Sequence, residues 1–563
     1  MLVSPGGIQI YLANAEAIRQ VTAKREAFPK PLESYKVLDI FGRNVITTEG
    51  GEWKQHRKVL SPSFNEKNNA LVFAEACRQA QGMLRKWKTT SGDSTIREVP
   101  IDVMRLTLHI ISKIGFGVGL LWPGEKIIEK ESTQDAVFSS VELPEGHSMS
   151  YETSMDTLLA NLVWVILTPK WLKRKHHFLT KIATTNLVGH LPFRGARKAY
   201  ESFLNWGQYM KELFAQKVKE AQRGDHSEGM DIMGSLVRSS YGEQQRAGKS
   251  SSDHAEKEGL KDPLLSDSDI LGNAFVMIVA GHETTASTLH FALMELATNP
   301  GSQRLLQKEI ESIFGKDPPE TWDYDVNINA LLGGMVGAVL NEQLRIMPPV
   351  IVIPKQVSKV RDQVIVVDGK SFTLPAGAYM SLNVVGTHRN PKYWPSQPSK
   401  VTDDAHDLDD FRPERWLVRS GPDGSQHAGA MDSEEEEDFG GYTGHDTSAQ
   451  LFRPTRGSYV PFSDGPRSCL GRRLAQVKVV AVLSVIFQRY SLELAVDEWA
   501  TDDDVASMGK DQRRKLYRMA QDEARKTIRS ATTQITLGLH EGAGFIPVRL
   551  VPKGEERFLS IVE

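Results

Sequence analysis

Cysteine is almost absent from this chain: Cys77 and Cys469 are the only 2 among 563 residues. They stand far apart and form no Cys-x-x-Cys. That excludes a disulfide framework and a cysteine-built zinc centre, and makes a reducing compartment the default. Charge of one sign is lacking too. Lysine and arginine number 68 against 71 aspartates and glutamates, a net charge of -3. Without a basic excess, nucleic acid is not an expected partner. Long hydrophobic runs are missing as well. The start, Met1-Leu2-Val3-Ser4-Pro5-Gly6-Gly7, has no basic segment followed by an apolar one, so it reads as neither signal peptide nor anchor. The most apolar stretches, 158–168 and 477–487, fall short of the roughly 20 residues that cross a bilayer. Both read as buried helices. There are no internal repeats.

What is present is ordinary globular material, 40% hydrophobic and 25% charged. Helical patterning covers 15–27, 70–87, 202–221, 268–298 and 474–487. The fourth of these is long. Ser266-Asp267-Ser268-Asp269 supplies cap chemistry before it and Asn299-Pro300-Gly301 stops it, which predicts one helix through the middle of the fold. Val364-Ile365-Val366-Val367 with Asp368-Gly369 reads as a hairpin arm and its turn. Residues 535–539 and 546–551 read as a second strand pair around Gly542 and Gly544. Three polar stretches, about 242–261, 421–450 and 501–529, read as insertions. All three are expected as solvated loop, the last with an exposed helix as its alternative.

One motif dominates: Phe462-Ser463-Asp464-Gly465-Pro466-Arg467-Ser468-Cys469-Leu470-Gly471-Arg472-Arg473-Leu474-Ala475. It resembles the cysteine loop of the cytochrome P-450 family, Phe-x-x-Gly-x-Arg-x-Cys-x-Gly-x-x-x-Ala, at every fixed position. Chance agreement in a chain this long is on the order of 10⁻⁵. The resemblance makes Cys469 the thiolate ligand of a haem iron. Such a thiolate needs backbone amides and a helix start aimed at it, which Gly465, Pro466 and the helix after Leu470 are placed to provide. Gly471 would let the chain pass close to the porphyrin. An isolated cysteine is more often an inert buried one; the motif overrides that reading.

Ala280-Gly281-His282-Glu283-Thr284-Thr285 lies in the predicted long helix and resembles the family's oxygen-activation segment. A threonine hydroxyl can bond the carbonyl four residues back, here that of Ala280, while Gly281 leaves space beside it. The resemblance gives Thr284 the contact with dioxygen and Glu283 the relay of protons from solvent. His282-Glu283 also begins a His-Glu-x-x-His zinc motif, but Ala286 occupies the closing position and that reading fails.

Glu342-Gln343-Leu344-Arg345 puts an acid and a base on one helix face. In the family this is a buried pair completed by a later arginine, here Arg415 of Phe411-Arg412-Pro413-Glu414-Arg415-Trp416. Trp53-Lys54-Gln55-His56-Arg57 resembles the family's Trp-x-x-x-Arg, so Trp53 and Arg57, with Arg467, are expected to hold the haem propionates. Leu374-Pro375-Ala376-Gly377 and His388-Arg389-Asn390-Pro391 resemble further family pieces with no chemistry of their own.

The resemblance runs from about residue 8 to about 557. It implies one domain over 1–563, mainly α, with the cytochrome P-450 fold and a small β region. Haem b, iron protoporphyrin IX with an axial thiolate, would lie between the long helix and the cysteine loop, with Phe462, Gly465, Gly471, Ala280 and Gly281 around it. The implied reaction inserts one atom of O₂ into a hydrophobic small molecule. Electrons would come from NADPH–cytochrome P-450 reductase, since no Gly-x-Gly-x-x-Gly fingerprint is present. Arg472, Arg473 and Lys478 are expected to form the docking face. Substrate contacts are expected from 35–45, 161–193, 271–280, 348–353 and 542–545, mostly apolar. Residues 162–167 and 191–193 either touch a membrane peripherally or pack in the core.

The pattern looks closest to fungal enzymes that decorate secondary metabolites. Microsomal members carry an anchor, a hinge, a helix and a first sheet strand ahead of the point where this chain starts. A truncated start is therefore the expectation, with the cytosolic face of the endoplasmic reticulum as the location; a complete chain would be cytoplasmic. Two other readings stay open: a haem-thiolate isomerase or dehydratase, against which the Glu283–Thr284 pair speaks, and an inactive truncated relative.

Overall fold

The structure is a computed structural model that describes residues 2–4, 7–90, 95–125, 143–167, 194–224, 231–249, 264–417, 451–539 and 544–558. They form two compact units. The first comprises Met1–Pro31, Phe64–Ile110 and Gly281–Glu563, the second Leu32–Ser63 and Ile111–Ala280.

The helices in chain order are α1 (Ala15–Ala23), α2 (Leu32–Tyr35), α3 (Gly50–Leu60), α4 (Glu66–Thr90) and α5 (Val99–Phe116). Then follow α6 (Tyr151–Ala160), α7 (Leu162–Leu167), α8 (Arg194–Arg223), α9 (Ile232–Lys249), α10 (Asp267–Thr298) and α11 (Pro300–Phe314). The last are α12 (Tyr324–Gly333), α13 (Met335–Ile346), α14 (Val384–His388), α15 (Arg472–Arg489), α16 (Asp502–Ser507) and α17 (Lys510–Arg529). All five predicted helical stretches contain a helix, the first ending at Ala23 instead of residue 27, and α10 is the long one foreseen.

The first unit holds every strand among the described residues. Its main sheet runs β1-β2-β7-β4, with β1 Leu2–Ser4, β2 Gly7–Leu12, β4 Val352–Gln356 and β7 Tyr379–Asn383. β2 and β7 pair in parallel, Ile10 opposite Met380. The buried face of this sheet packs on Ile18 and Val21 of α1 and on Val460, two residues before Phe462. So the sheet core and the start of the cysteine loop share one apolar cluster.

β5 (Gln363–Val367) and β6 (Lys370–Leu374) form the predicted hairpin. Its turn uses Asp368 at φ 49° and Gly369 at φ 74°, the left-handed pair that a two-residue hairpin turn demands. The second predicted pair is corrected. Leu537–Gly538 (β10) pairs with Thr532–Thr533 (β9), while Val548–Pro552 (β11) lies between Tyr490–Leu494 (β8) and Thr95–Ile96 (β3). Val548 is fully buried between strands distant in sequence, so its apolar run marks the middle of a sheet, not one arm of a local hairpin.

At 501–529 the loop is corrected in favour of the helical alternative, although that helix is not fully exposed. Thr501 and Asp504 form a capping box for α16. α17 buries Leu516, Tyr517, Ala520, Ala524 and Ile528 on one face. Tyr517 donates to the Ala297 carbonyl (2.7 Å) and Gln521 to that of Thr298 (2.7 Å). These are last-turn carbonyls of α10, which have no partner within the helix. Of the stretch 242–261, residues up to Lys249 continue α9; the rest of it, and 421–450, lie outside the described residues.

In the second unit every regular element is helical among the described residues. α8 packs on α6, Tyr209 donating to the Met149 carbonyl (3.0 Å) and stacking on His147 at 3.7 Å. α7 turns Leu162 and Val165 inward and leaves Trp164 exposed. Residues 168–193, including the predicted 191–193 contact, are outside the described set. No helix among the described residues is long and apolar enough to cross a membrane.

Candidate active site

The cysteine loop begins where the sheet core ends. Phe462 accepts a hydrogen bond from the Cys469 amide (2.9 Å), closing the loop. Inside it a single helical turn, Gly465–Arg467, is capped by Asp464, which accepts from the Gly465 amide at 2.8 Å. Gly465 has φ 67°, and a Cβ there would stand 2.5 Å from the Thr22 carbonyl of α1. Glycine is therefore required twice over, by conformation and by close approach. Arg467 is buried, Cys469 is exposed, and α15 starts three residues later at Arg472.

The loop is fixed from behind by a buried ionic web. Glu342 and Arg345 on α13 pair through both ends, at 2.8 and 2.9 Å. Arg415 donates to Glu342 at 2.8 Å and Trp416 at 2.9 Å. The remaining arginine donors reach the carbonyls of His388, Leu408, Pro395 and Asp407. Burial alone would raise the Glu342 carboxyl, but the two guanidinium groups outweigh it and bring it down to about 2. A buried charge trio of this kind costs little only when every donor is satisfied.

His388 links that web to the loop. Its Nε2 accepts from the Val460 amide (2.9 Å) and its Nδ1 faces the Arg345 carbonyl (3.1 Å), which fixes the Nδ1–H tautomer. Burial holds the ring neutral, down at about 3. The sequence marked the His388 segment only as scaffold; its role as the tie between Arg345 and the chain entering the cysteine loop depends on a fold that brings residues 72 apart together.

In the first unit α10 contributes Gly281, His282, Glu283 and Thr284. From Thr285 to Thr298 the helix is buried throughout, whereas Gly281, Glu283 and Thr284 are partly open. Thr288 donates to the Thr284 carbonyl (2.9 Å). Burial raises the Glu283 carboxyl, and Thr536, whose hydroxyl lies 3.2 Å away, holds it back. His282 is buried, contacts the Met104 carbonyl at 3.0 Å and is held neutral, down at about 4, by burial. Lys478 of α15 is fully buried and donates to the Gly281 carbonyl at 2.7 Å. Sequence reasoning gave Thr536 and His282 no role here and placed Lys478 on a docking face instead. Nothing local marks Thr536, and a lysine after a cysteine loop looks like any surface base.

That placement corrects the expected docking face. Lys478 has no exposed surface and Arg473 is buried, pairing with Glu66 of α4 at 3.2 Å. Of the three basic residues only Arg472 is exposed. The helix beginning in the loop sends its second and seventh residues inward, so the basic run is split between two faces.

In the second unit, Trp53 and Arg57 are both buried on α3, with the guanidinium carbon 5.8 Å from the indole centroid. Between them His56 accepts from the Asn273 amide (2.8 Å), and Asn273 also bonds the Asp269 carbonyl and the Val45 amide. Ala280 ends the unit as an exposed residue on an otherwise buried stretch of α10. Phe41 meets Phe203, Trp206 and Phe275 at ring distances of 4.9, 4.7 and 5.0 Å. Two of the segments expected to touch substrate, 35–45 and 271–280, thus meet in one aromatic cluster.

Haem fits what is present. Cys469 offers an accessible sulfur, whereas Cys77 is buried and its thiol pushed far up by burial. Beside that sulfur stands Gly471, where a Cβ would lie 3.9 Å from Sγ, so a flat macrocycle meets hydrogen there and not a side chain.

Comparison with known proteins agrees. The cytochrome P-450 family profile matches residues 7–516. A cytochrome P-450 monooxygenase of Arthrobotrys oligospora is 29% identical over 563 residues, 98% of this chain and 83% of the relative. Cytochrome P-450 monooxygenase 124 of Postia placenta is 29% identical over 489 residues, 86% of this chain and 75% of the relative. A phomenoic acid biosynthesis cluster cytochrome P-450 monooxygenase of Leptosphaeria maculans is 25% identical over 512 residues, covering 88% and 75%. Members of this family carry a haem-thiolate iron and act with O₂, a small-molecule substrate and a redox partner; the chain belongs to the cytochrome P-450 family and is a monooxygenase.

Proposed function

We propose that this monooxygenase inserts one atom of O₂ into a hydrophobic small molecule of secondary metabolism, with haem b held through Cys469. The observation that carries the substrate class is the cluster of Phe41, Phe203, Trp206 and Phe275. Aromatic walls of this kind favour apolar ligands and add ring–ring attraction to the area they bury. The biosynthesis-cluster relative supports the metabolic setting.

When bound, haem supplies the dioxygen and one-electron chemistry, and an electron-rich thiolate favours O–O cleavage. The rest falls to the chain's own groups. Glu283, with its carboxyl raised by burial, takes up a proton more readily than an exposed carboxylate and hands it toward the Thr284 hydroxyl. Trp53 and Arg57 would donate to a haem propionate, and Arg467 is by the same chemistry a propionate donor. Phe462, Gly465 and Gly471 shape the floor at the sulfur, and Ala280 and Gly281 keep the α10 side free of bulk. Electrons come from NADPH–cytochrome P-450 reductase, docking at a face that includes exposed Arg472, and the reductase would draw the enzyme to the cytosolic face of the endoplasmic reticulum.

The test starts from the reduced protein with carbon monoxide. A red-shifted Soret band that disappears in Cys469→Ser establishes the cofactor and its ligand; an unchanged band in that variant sinks the assignment. Apolar compounds that produce a substrate-binding difference spectrum, weakened in Phe41→Ala, support the substrate class. Binding confined to polar compounds overturns it.

A further inference from the structure

Lysine is among the residues least often buried, and Lys478 has no exposed surface at all. Taking an ammonium out of water is costly unless its charge and donors are compensated. Among the described residues no carboxylate pairs with it. The compensation the geometry shows is the Gly281 carbonyl, 2.7 Å from Nζ, set against the downward pull of burial toward about 7. His282, the next residue along from Gly281, is the other titratable group facing it and is repelled by it.

We propose that Lys478 is a positioning residue that clamps the backbone of the oxygen segment at Gly281. The helix that begins at the thiolate ligand carries this one side chain across to the helix that bears Glu283 and Thr284. One group thereby couples the two sides of the candidate site. The clamp explains why a backbone carbonyl at a glycine, free of side-chain obstruction, is the acceptor. The proposal rests on residues 280–285 being the oxygen segment of the proposed function and not on any substrate.

Two variants of the haem-loaded enzyme test the clamp. Lys478→Met removes charge and donor at similar length; because it relieves a buried charge, it is expected to fold. In it, amide hydrogen exchange of the peptide 280–288 should quicken roughly tenfold, the effect of losing one charge-assisted hydrogen bond, while a control peptide in α17 is unchanged. Lys478→Gln keeps a donor, so exchange in it should return toward wild type. Wild-type exchange at 280–288 in Lys478→Met overturns the clamp, and so does exchange in Lys478→Gln as fast as in Lys478→Met. Should Lys478→Met fail to fold, Lys478→Leu takes its place with the same peptide as readout. Failure of Cys469→Ser to alter the carbon monoxide spectrum would instead remove the ligand assignment itself, a different and separately visible result.

Discussion

Two buried polar clusters in the first unit solve the same desolvation problem in opposite ways. Around Glu342, charges are kept and saturated: two arginines, an indole N–H and four carbonyls meet every demand, and the carboxyl is driven down to about 2. Around Gly281, charges are weakened. Burial lowers Lys478 to about 7 and His282 to about 4 and raises Glu283, with few hydrogen bonds to spend on them. The first arrangement is stiff and indifferent to neutral pH. The second leaves protons loosely owned, which suits a site that must move them. Saturation marks scaffold, and undersaturation marks chemistry.

The largest blow to this contrast should come from Glu342→Gln. It removes the carboxylate that two buried guanidinium groups share, leaving Asp407 at 3.3 Å as the remaining acid beside Arg415, and the expected loss is about 3–5 kcal/mol in a denaturant titration. Retention of wild-type stability would mean that the web is dispensable. Acid should act next, and its sign follows from which state binds protons. His282 and His290, at about 4, and His388, at about 3, stay neutral when folded but take protons below 6.5 when unfolded. What these rings contribute is thus full above pH 6.5 and lost as pH falls through 6.5 toward those values; His56, also lowered, adds to the loss. Glu295, raised to about 7, opposes this, gaining as pH falls from 7 to about 4.5. Three main losses outweigh Glu295 and the further gains at Glu283 and Glu309, which are also raised; roughly 1–3 kcal/mol per pH unit remains, and His290→Leu should flatten the slope.

His388→Leu strands the Val460 amide at the mouth of the cysteine loop. A cost of about 1–3 kcal/mol is expected, together with easier loss of haem on dilution. The smallest effect belongs to Thr536→Val. With one hydrogen bond to the carboxylate gone, Glu283 should hold its proton to higher pH, and the pH profile of reductase-supported NADPH consumption should shift upward by less than about one unit. A downward shift would contradict the proposed relay.

Much of this was legible because it is local. The cysteine loop, the oxygen segment, the Glu342–Arg345 spacing and the Asp368–Gly369 turn are each written in a few consecutive residues whose geometry dictates their identity. What escaped depends on distant partners. Lys478 reads as a surface base until α15 is seen to turn it toward α10, and Thr536 reads as nothing until its strand pair docks beside Glu283. The strand 548–552 was assigned a local partner because alternation gives a strand's faces but not its neighbours. The α17 face was readable in principle: Leu516, Ala520, Ala524 and Ile528 recur every fourth residue. Dense surrounding charge hid that stripe.

That helix also bears on where the protein can be cut. The family profile ends at residue 516, inside Lys510–Arg529 and one residue before Tyr517. An expression boundary drawn there would remove the hydroxyl and amide that close the last carbonyls of the central helix. The fraying would begin some four turns from Thr284. A segment that looks like decoration added to the family's frame has become the end-stop of its longest helix, and shortened or chimeric versions of the enzyme must carry it whole.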